Sequence, residues 1–255
     1  MAAKLKSADA RVLYLYAITE SRLTKLPTLM GVDMLAEVEP IEAGGLTCWT
    51  SRVSALDFEE NLARNMENLE WLAEASVAHQ RVVSALSQEL EALPARFGTV
   101  FQNEASLRRH VRSRASELKR DLARIKGADE WGVKVFAVKS AVRPIGKIQS
   151  GKDYLKAKAA LLPKRRPATI ASTELAEFDE ALKQVAAETA AIGSVSSGQR
   201  GLTYQKSLLV KRTDREKLES ILKKFADDWA EARRIECTGP WPPYSFMSRP
   251  GAEAE

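Results

Sequence analysis

The residues best suited to chemistry lie on one predicted helix in the first half of the chain. One face of this helix carries Leu69, Leu72, Ser76, His79, Val83, Leu86 and Leu90. On that face Ser76 could act as a nucleophile and His79 as its base. No acidic residue on that face stands at a spacing that would orient the imidazole, and no glycine-rich elbow exposes the serine. We therefore interpret His79 as a buried histidine, hydrogen-bonded to its neighbours and without a catalytic role.

Arg96 is the second residue whose type suggests binding, because it stands close to Gly98 in the string RFGT (residues 96–99). A guanidinium can hold a carboxylate or a phosphate through two parallel hydrogen bonds. It can equally pair with an acidic residue of the preceding helix, such as Glu70 or Glu74, and so hold that helix to the next strand. We favour the structural role.

Metal and cofactor chemistry find no support in the sequence. The cysteines Cys48 and Cys237 and the histidines His79 and His110 are too few and too widely separated for a metal site. The chain also contains no GxGxxG, P-loop, HExxH or GxSxG motif. A small-molecule enzyme built around His79 and Arg96 would need a deep pocket in which both side chains converge. We expect no catalytic residues, no cofactor and no metal.

A helix that Asn103 can cap and that Gly127 can end is strongly basic on its outer face. Such a face can bind phosphates, so a basic α+β protein associated with RNA or the ribosome is the alternative function. No aromatic residues interleave the cations to stack on bases, and the net charge of the whole chain is only +5. We therefore expect this face, with Arg108, Arg112 and Lys119, to contact a protein partner rather than nucleic acid. Its cations are Arg108, Arg109, Arg112, Arg114, Lys119, Arg120, Arg124 and Lys126.

The strands and helices predicted along the chain indicate an α+β protein with two domains. The 255 residues are 45% hydrophobic and 29% charged, which excludes a disordered, fibrous or disulfide-scaffold protein. The second half alternates strands and helices and predicts a ferredoxin-like domain with an altered crossover. We expect domains at 1–127 and 128–238 and a tail at 239–255. Strands are predicted at 12–18, 34–41, 46–53, 96–101, 133–139, 202–210 and 235–238, and helices at 69–90, 104–126, 154–162, 175–192 and 213–229.

The tail combines prolines with aromatic residues. Pro240, Pro242 and Pro243 keep the backbone extended, and Trp241, Tyr244 and Phe246 project from it in the string GPWPPYSF (residues 239–246). Three aromatic side chains would rarely stand free in solvent. The tail should dock on its own domain or on a partner, and we favour its own domain.

The apolar run at residues 12–18 superficially imitates a signal peptide, but it is short and is followed by no small-residue cleavage site. No apolar stretch approaches the roughly 20 residues that a membrane helix needs. We expect a cytoplasmic protein that spans no membrane.

Five strings, in this order, resemble the gas vesicle GvpL/GvpF family. They are LYLYAI (residues 13–18), LPARFGTVF (93–101) after His79, EWGVKV (130–135), GKDYL (151–155) and GPWPPYSF (239–246). The second and the last are the most specific. Together the strings extend over nearly the whole chain, and they do not distinguish the F from the L paralogue.

The resemblance implies an accessory, non-enzymatic component of gas vesicle assembly in the cytoplasm and at the gas vesicle. It would bind the main shell protein and other accessory gas vesicle proteins, and it would need no cofactor. The implied fold is an N-terminal α+β domain, a modified ferredoxin-like domain and a C-terminal tail. The motif residues carry over as structural signatures: His79, Pro94, Arg96, Phe97, Gly98, Trp131, Tyr154, Gly239, Pro240, Trp241, Pro242, Pro243, Tyr244 and Phe246.

Overall fold

The computed structural model describes residues 10–20, 28–138, 168–191, 199–229 and 232–248. The chain forms two compact units. The first comprises the residues up to Glu130 together with those from Pro240 onward, and the second comprises Trp131–Gly239. Among the described residues, no helix is both long enough and apolar enough to cross a membrane.

The first unit is built on an antiparallel sheet with β1 (Arg11–Thr19) in its middle. Eight of the nine residues of β1 are buried, so the central strand expected at residues 12–18 is confirmed. The strand order is β2-β3-β1-β4, and β5 also pairs with β1. The other elements are β2 (Glu39–Ala43), β3 (Leu46–Ser54), a π-helical turn (Leu56–Glu60), α1 (Leu62–Asn65), α2 (Leu69–Glu89), β4 (Ala92–Pro94), β5 (Val100–Phe101), α3 (Glu104–Ser113) and α4 (Ala115–Ile125).

Two predicted strands of the first unit are wrong in extent. The strand expected at residues 34–41 begins only at Glu39, because residues 30–37 fold into a loop closed by a bridge between Met30 and Glu37. The strand expected at 96–101 is present only as β5 at Val100–Phe101, because residues 96–99 form a turn between β4 and β5. Gly98 adopts a φ of 78° there, which is a conformation that favours glycine, and the amide of Thr99 bonds to the carbonyl of Arg96.

The predicted face of α2 is displaced toward its C-terminal half. The residues that face the core are Ala75, His79, Val82, Val83 and Leu86, and they pack against the strand β1. Leu69, which the sequence pattern places on that face, is 80% exposed. The pattern has the correct helical period, but it cannot show where along the helix the sheet ends.

The basic helix is two helices that meet at Arg114. Asn103 caps the first one as expected, since its side chain accepts a hydrogen bond from the amide of Ser106. The apolar residues Leu107, Val111, Leu118, Leu122 and Ile125 are buried. Gly127 follows with a φ of 66°, the conformation with which many helices end.

The described elements of the second unit follow the β-α-β-β-α-β order of a ferredoxin-like fold. Its sheet has the order β7-β8-β6-β9, so β6 is a central strand as expected. Its core joins Val133 and Val135 of β6 to Phe178, Leu182 and Leu208. The elements are β6 (Ala128–Ala137), α5 (Ala168–Val185), β7 (Ala186–Ala191), β8 (Leu202–Lys211), a 3-10 turn (Arg212–Asp214), α6 (Arg215–Trp229) and β9 (Arg233–Trp241).

The helix predicted at residues 175–192 is wrong beyond Val185. Residues 186–191 form β7, which pairs with β8 from Ala186 opposite Val210 to Ala191 opposite Lys206. Alanine favours helices locally, and here strand pairing overrides that preference. The helix predicted at 154–162 lies outside the described residues, as do Lys139 and Ile192. The last strand extends to Trp241, three residues further than expected.

Candidate functional site at the docked tail

The tail docks on the first unit through residues 242–248, which we call the docked tail segment. Pro242 and Pro243 are buried, and a 3-10 turn (Tyr244–Phe246) brings Phe246 to 2% exposure. Trp241 remains 47% exposed, so its expected role as a buried anchor is wrong. Trp241 is the last residue of β9 and precedes the turn that directs the following aromatic residues inward.

His79 lies at the centre of a buried hydrogen-bond network that includes the tail. Its Nδ1 is 3.0 Å from the hydroxyl of Tyr14, and its Nε2 is 3.2 Å from the hydroxyl of Tyr244. The amide of Gly98 donates to Tyr14 at 2.9 Å, and Tyr244 donates to Gln80 at 3.4 Å. One proton assignment satisfies all these groups. Tyr14 donates to Nδ1, and Nε2–H donates to Tyr244.

This environment keeps His79 neutral. Burial lowers the pKa of His79 to about 4, against a smaller opposite effect from the backbone of Ala95. Burial also raises the pKa of Tyr14 and of Tyr244. Both ring nitrogens are engaged by tyrosine hydroxyls, so the structure forms no Ser76–His79 pair. The arrangement supports a structural role for His79.

Two buried carboxylates hold the backbone and the serines of the docked tail segment. Asp121, 5% exposed, accepts hydrogen bonds from the amide and the hydroxyl of Ser248, both at 2.9 Å. Glu130, 8% exposed, accepts from the amide and the hydroxyl of Ser245 at 2.8 and 2.5 Å. Hydrogen bonds to an ionised group are roughly twice as strong as neutral ones. These four bonds therefore fix the position of the segment on the first unit.

Arginines of α3 and α4 bind the carbonyl groups of the same segment. Arg124 donates to the carbonyl of Phe246 and, at 2.9 Å, to Asp121. Arg114 bonds to Glu117 at 2.8 and 2.9 Å and reaches the carbonyl of Ser248 at 3.5 Å. Part of the basic helix face thus contacts the protein's own tail.

An apolar cavity of about 200 Å³ lies beside the docked tail segment. Arg96 lines it and is exposed, whereas His79 is not among its lining residues, so these two side chains do not converge. Within the described part of the chain, Arg96 makes no ion pair with Glu70 or Glu74, and the expected helix-to-strand pairing is wrong. Most of the lining is apolar and includes Leu15, Ile18, Leu93, Phe101, Leu118 and Met247.

The three residues proposed as a partner surface differ in their surroundings. Arg108 is half-buried and bonds to the carbonyl of Glu42 and, at 3.2 Å, to the carboxylate of Glu104. Arg112 and Lys119 are exposed, and they make no ion pair with any described residue. Because Arg108, Arg114 and Arg124 all bind protein groups, the number of cations available for phosphates is smaller than the sequence suggests.

The remaining motif residues lie in positions where they pack within the protein or shape its backbone. Phe97 packs against Tyr14, Trp71 and His79 with ring centroids 5.8–6.3 Å apart. Trp131 is buried in the second unit, where the guanidinium of Arg215 lies 5.5 Å from its ring centroid. Pro94 lies in β4 opposite Ala17 of β1. In β9, Gly239 has a φ of 139° and Pro240 is exposed. Tyr154 lies outside the described residues.

Sequence reasoning missed Tyr14, Asp121, Glu130, Ser245 and Ser248. Of these, only Tyr14 could have been found from the sequence, because a tyrosine on a fully buried strand needs a hydrogen-bond partner for its hydroxyl. The carboxylates are 115 and 127 residues away from the serines they bind, and no local pattern connects them.

Comparison with known proteins identifies the family. The model of the family described as "Gas vesicle synthesis protein GvpL/GvpF" matches residues 12–248. The chain is also 31% identical to "Gas vesicle protein L" of Streptomyces sp. (strain CB03234), over 92% of each chain. The protein belongs to the GvpL/GvpF family. Membership supports a role in gas vesicle assembly.

Two GvpF crystal structures have the same fold as this GvpL/GvpF member. The structure of GvpF from Anabaena sp. PCC7120 superposes with a TM-score of 0.68 at 18% identity, covering 96% of this chain and 99% of that one. The structure of GvpF from Microcystis aeruginosa gives a TM-score of 0.67 at 17% identity, with coverage of 93% and 99%. One hydrogen-bond network contacts both of the specific GvpL/GvpF motifs. Gly98 of LPARFGTVF donates to Tyr14, and Tyr244 of GPWPPYSF bonds to His79, which in turn bonds to Tyr14.

Replacing Tyr244 by phenylalanine should lower the free energy of unfolding by about 1–2 kcal/mol, because the buried Nε2–H of His79 loses its acceptor. Urea unfolding of the full chain measures this change. Trp241→Phe is the control, since Trp241 is half-exposed and should change stability by less than about 0.5 kcal/mol. An equal decrease in the free energy of unfolding of the two variants would contradict the hydrogen bond between His79 and Tyr244.

Proposed function

We propose that this protein is an accessory, non-enzymatic component of gas vesicle assembly, acting in the cytoplasm and at the vesicle. It binds the main shell protein and other accessory gas vesicle proteins. The observation that carries the proposal is the family match, which spans residues 12–248 and so includes both units and the docked tail segment. A non-enzymatic role is supported by His79, which is neutral and has both ring nitrogens engaged.

The alternative, a protein associated with RNA or the ribosome, has weaker support. Arg108 binds Glu104, and both Arg114 and Arg124 bind the docked tail segment. A phosphate-binding face would need these guanidinium groups to be accessible.

Deleting the gene from a vesicle-forming host, and restoring it, tests the assembly role. We expect the deletion to abolish or strongly reduce vesicle formation, and we expect the full chain to restore it. A tagged chain co-expressed with the shell protein should retain that protein through affinity purification. Normal vesicles in the deletion strain, together with no retained shell protein, would contradict the proposal. RNA binding that weakens steeply with salt would favour the alternative.

A further inference from the structure

The solvent side of α2 carries an apolar stripe that no described element covers. Leu69, Ala73 and Val77 follow one another at intervals of four residues, which places them on one face of the helix. Leu69 is 80% exposed and Val77 is 71% exposed. A different face of α2 packs against the core, and it includes Ala75, His79 and Val82. Because the outer face of a surface helix is normally polar, this stripe is a candidate contact surface.

A hydrogen-bonded loop presents two more apolar side chains beside the stripe. Met34 and Leu35 stand at its tip, 51% and 72% exposed. The loop is closed by a bond from the amide of Gly31 to the carbonyl of Ala36 at 2.7 Å. Arg81 of α2 donates to the carbonyl of Met30 at 3.2 Å and contacts the sulfur of Met34 at 2.8 Å. The loop is thus tied to the helix that bears the stripe.

Met34 adopts a φ of 59°, which is uncommon for a residue other than glycine. Such backbone conformations cost free energy and tend to occur at binding sites, where the surrounding structure maintains them. The long, flexible side chain of methionine also adapts to partners of different shape. The loop therefore displays its apolar tip in a defined conformation.

The loop and the helix border an open groove made of two adjoining hollows. One is a shallow hollow of about 500 Å³ between Met34, Ala73, Val77 and Arg81. The other, of about 390 Å³, continues from Met34 to Phe58 and Trp71. An apolar cavity of about 150 Å³ is large enough for benzene, so the groove has room for several side chains. We call this surface the α2 groove.

The border of the α2 groove is acidic. Glu70 and Glu74 are exposed and lie four residues apart on α2, beside the apolar stripe, and Glu74 lines both hollows. Neither makes an ion pair with a described residue. Glu70 and Glu74 are like charges one helical turn apart, an arrangement that destabilises an isolated helix. A cationic partner would remove this repulsion.

We propose that the α2 groove binds an amphipathic helical segment of a partner protein. Its apolar side chains, spaced by three and four residues, enter the groove between Met34 and Val77. Its lysines or arginines lie against Glu70 and Glu74. The identification of the partner as a gas vesicle protein rests on the proposed function, whereas the chemistry of the segment rests on the groove alone.

A synthetic peptide tests the chemistry of the α2 groove. The probe is a labelled helical peptide of about 18 residues, or five turns, with a leucine face and a lysine face. We expect it to bind the full chain in a fluorescence anisotropy titration. The same peptide with glutamate in place of lysine should not bind. Because the chain has a net charge of +5, overall electrostatics oppose the lysine peptide, and its binding would report the local acidic border.

Substitutions in the α2 groove complete the test. Val77→Asp, and separately the double variant Glu70→Lys/Glu74→Lys, should each weaken binding of the lysine peptide about tenfold or more. Circular dichroism should show the wild-type fold, since all three side chains are exposed. Glu89→Lys is the matched control, because Glu89 is exposed on the same helix three turns beyond Val77 and should leave binding unchanged. Equal affinity for all variants, or no binding by the wild type, would overturn the proposal.

The same variants co-expressed with the shell protein and with each accessory gas vesicle protein separate the two proposals. Retention of a gas vesicle protein by the wild type and the control variant, but not by the groove variants, supports both. Retention by every variant contradicts the α2 groove and leaves the assembly role intact. Peptide binding without retention of any gas vesicle protein contradicts the binding role proposed for this chain and supports the groove.

Discussion

Ending the chain at Trp241, and so deleting residues 242–255, should lower the stability of the first unit by about 4 kcal/mol or more. Burying a side chain such as Phe246 stabilises a protein by about 1.5–3 kcal/mol. Asp121 and Glu130 each lose two donors from the tail, and a lost hydrogen bond to a buried charged group costs about 1–3 kcal/mol. The strand β9, which ends at Trp241, is retained.

Hydrogen exchange of the amides of β1 measures this loss in the first unit alone. Urea unfolding of a protein with two units could mix their transitions. A chain that ends at Ser248 is the control, because it keeps every contact of the docked tail segment and should exchange as slowly as the full chain. Unchanged protection of β1 in the chain that ends at Trp241 would show that the docked tail segment does not stabilise the first unit.

The stability of the protein should decrease as the pH falls from about 6.5 to about 4 because of His79. The pKa of His79 is about 4 in the folded protein and has its ordinary value of 6.5 in the unfolded chain. Between these values the unfolded chain binds the proton more readily, so stability is lost with falling pH. The difference in pKa corresponds to about 3 kcal/mol at pH 4 and to no effect above pH 7.

Urea unfolding of the wild type and of His79→Gln at several pH values isolates this contribution, because glutamine does not titrate in this range. Every other titrating group is common to both proteins, so the difference between the two curves reports His79. His110→Gln is the control. The pKa of His110 is also lowered by burial and then by Arg114, but His110 is less buried than His79 and should contribute less. Parallel curves for the wild type and His79→Gln would contradict the neutral, buried imidazole.

Features that depend on neighbouring residues could be predicted. The unbroken apolar run of β1 indicates a strand that is buried on both faces, and such a strand can only be central in its sheet. Asn103 caps α3 because its side chain reaches an amide three residues away. Gly127 ends α4 because the backbone adopts a positive φ there. The family, too, could be recognised, since its strings are contiguous.

Features that depend on distant residues could not be predicted. The alanine-rich residues 186–191 are a strand only because β8 is beside them to supply hydrogen-bond partners. Among the tail aromatics, Phe246 is buried and Trp241 is half-exposed. This difference depends on the shape of the surface against which the tail packs.

The sequence by itself determined the α+β class, the periods of the helices, the caps and the family. Only the tertiary structure decided which helix face meets the sheet, which aromatic residue is buried and which carboxylates hold the tail. The physical reason is the range of the interactions. Capping and backbone preference act within one turn, whereas Glu130 and Asp121 meet Ser245 and Ser248 across more than a hundred residues, after the whole chain has folded.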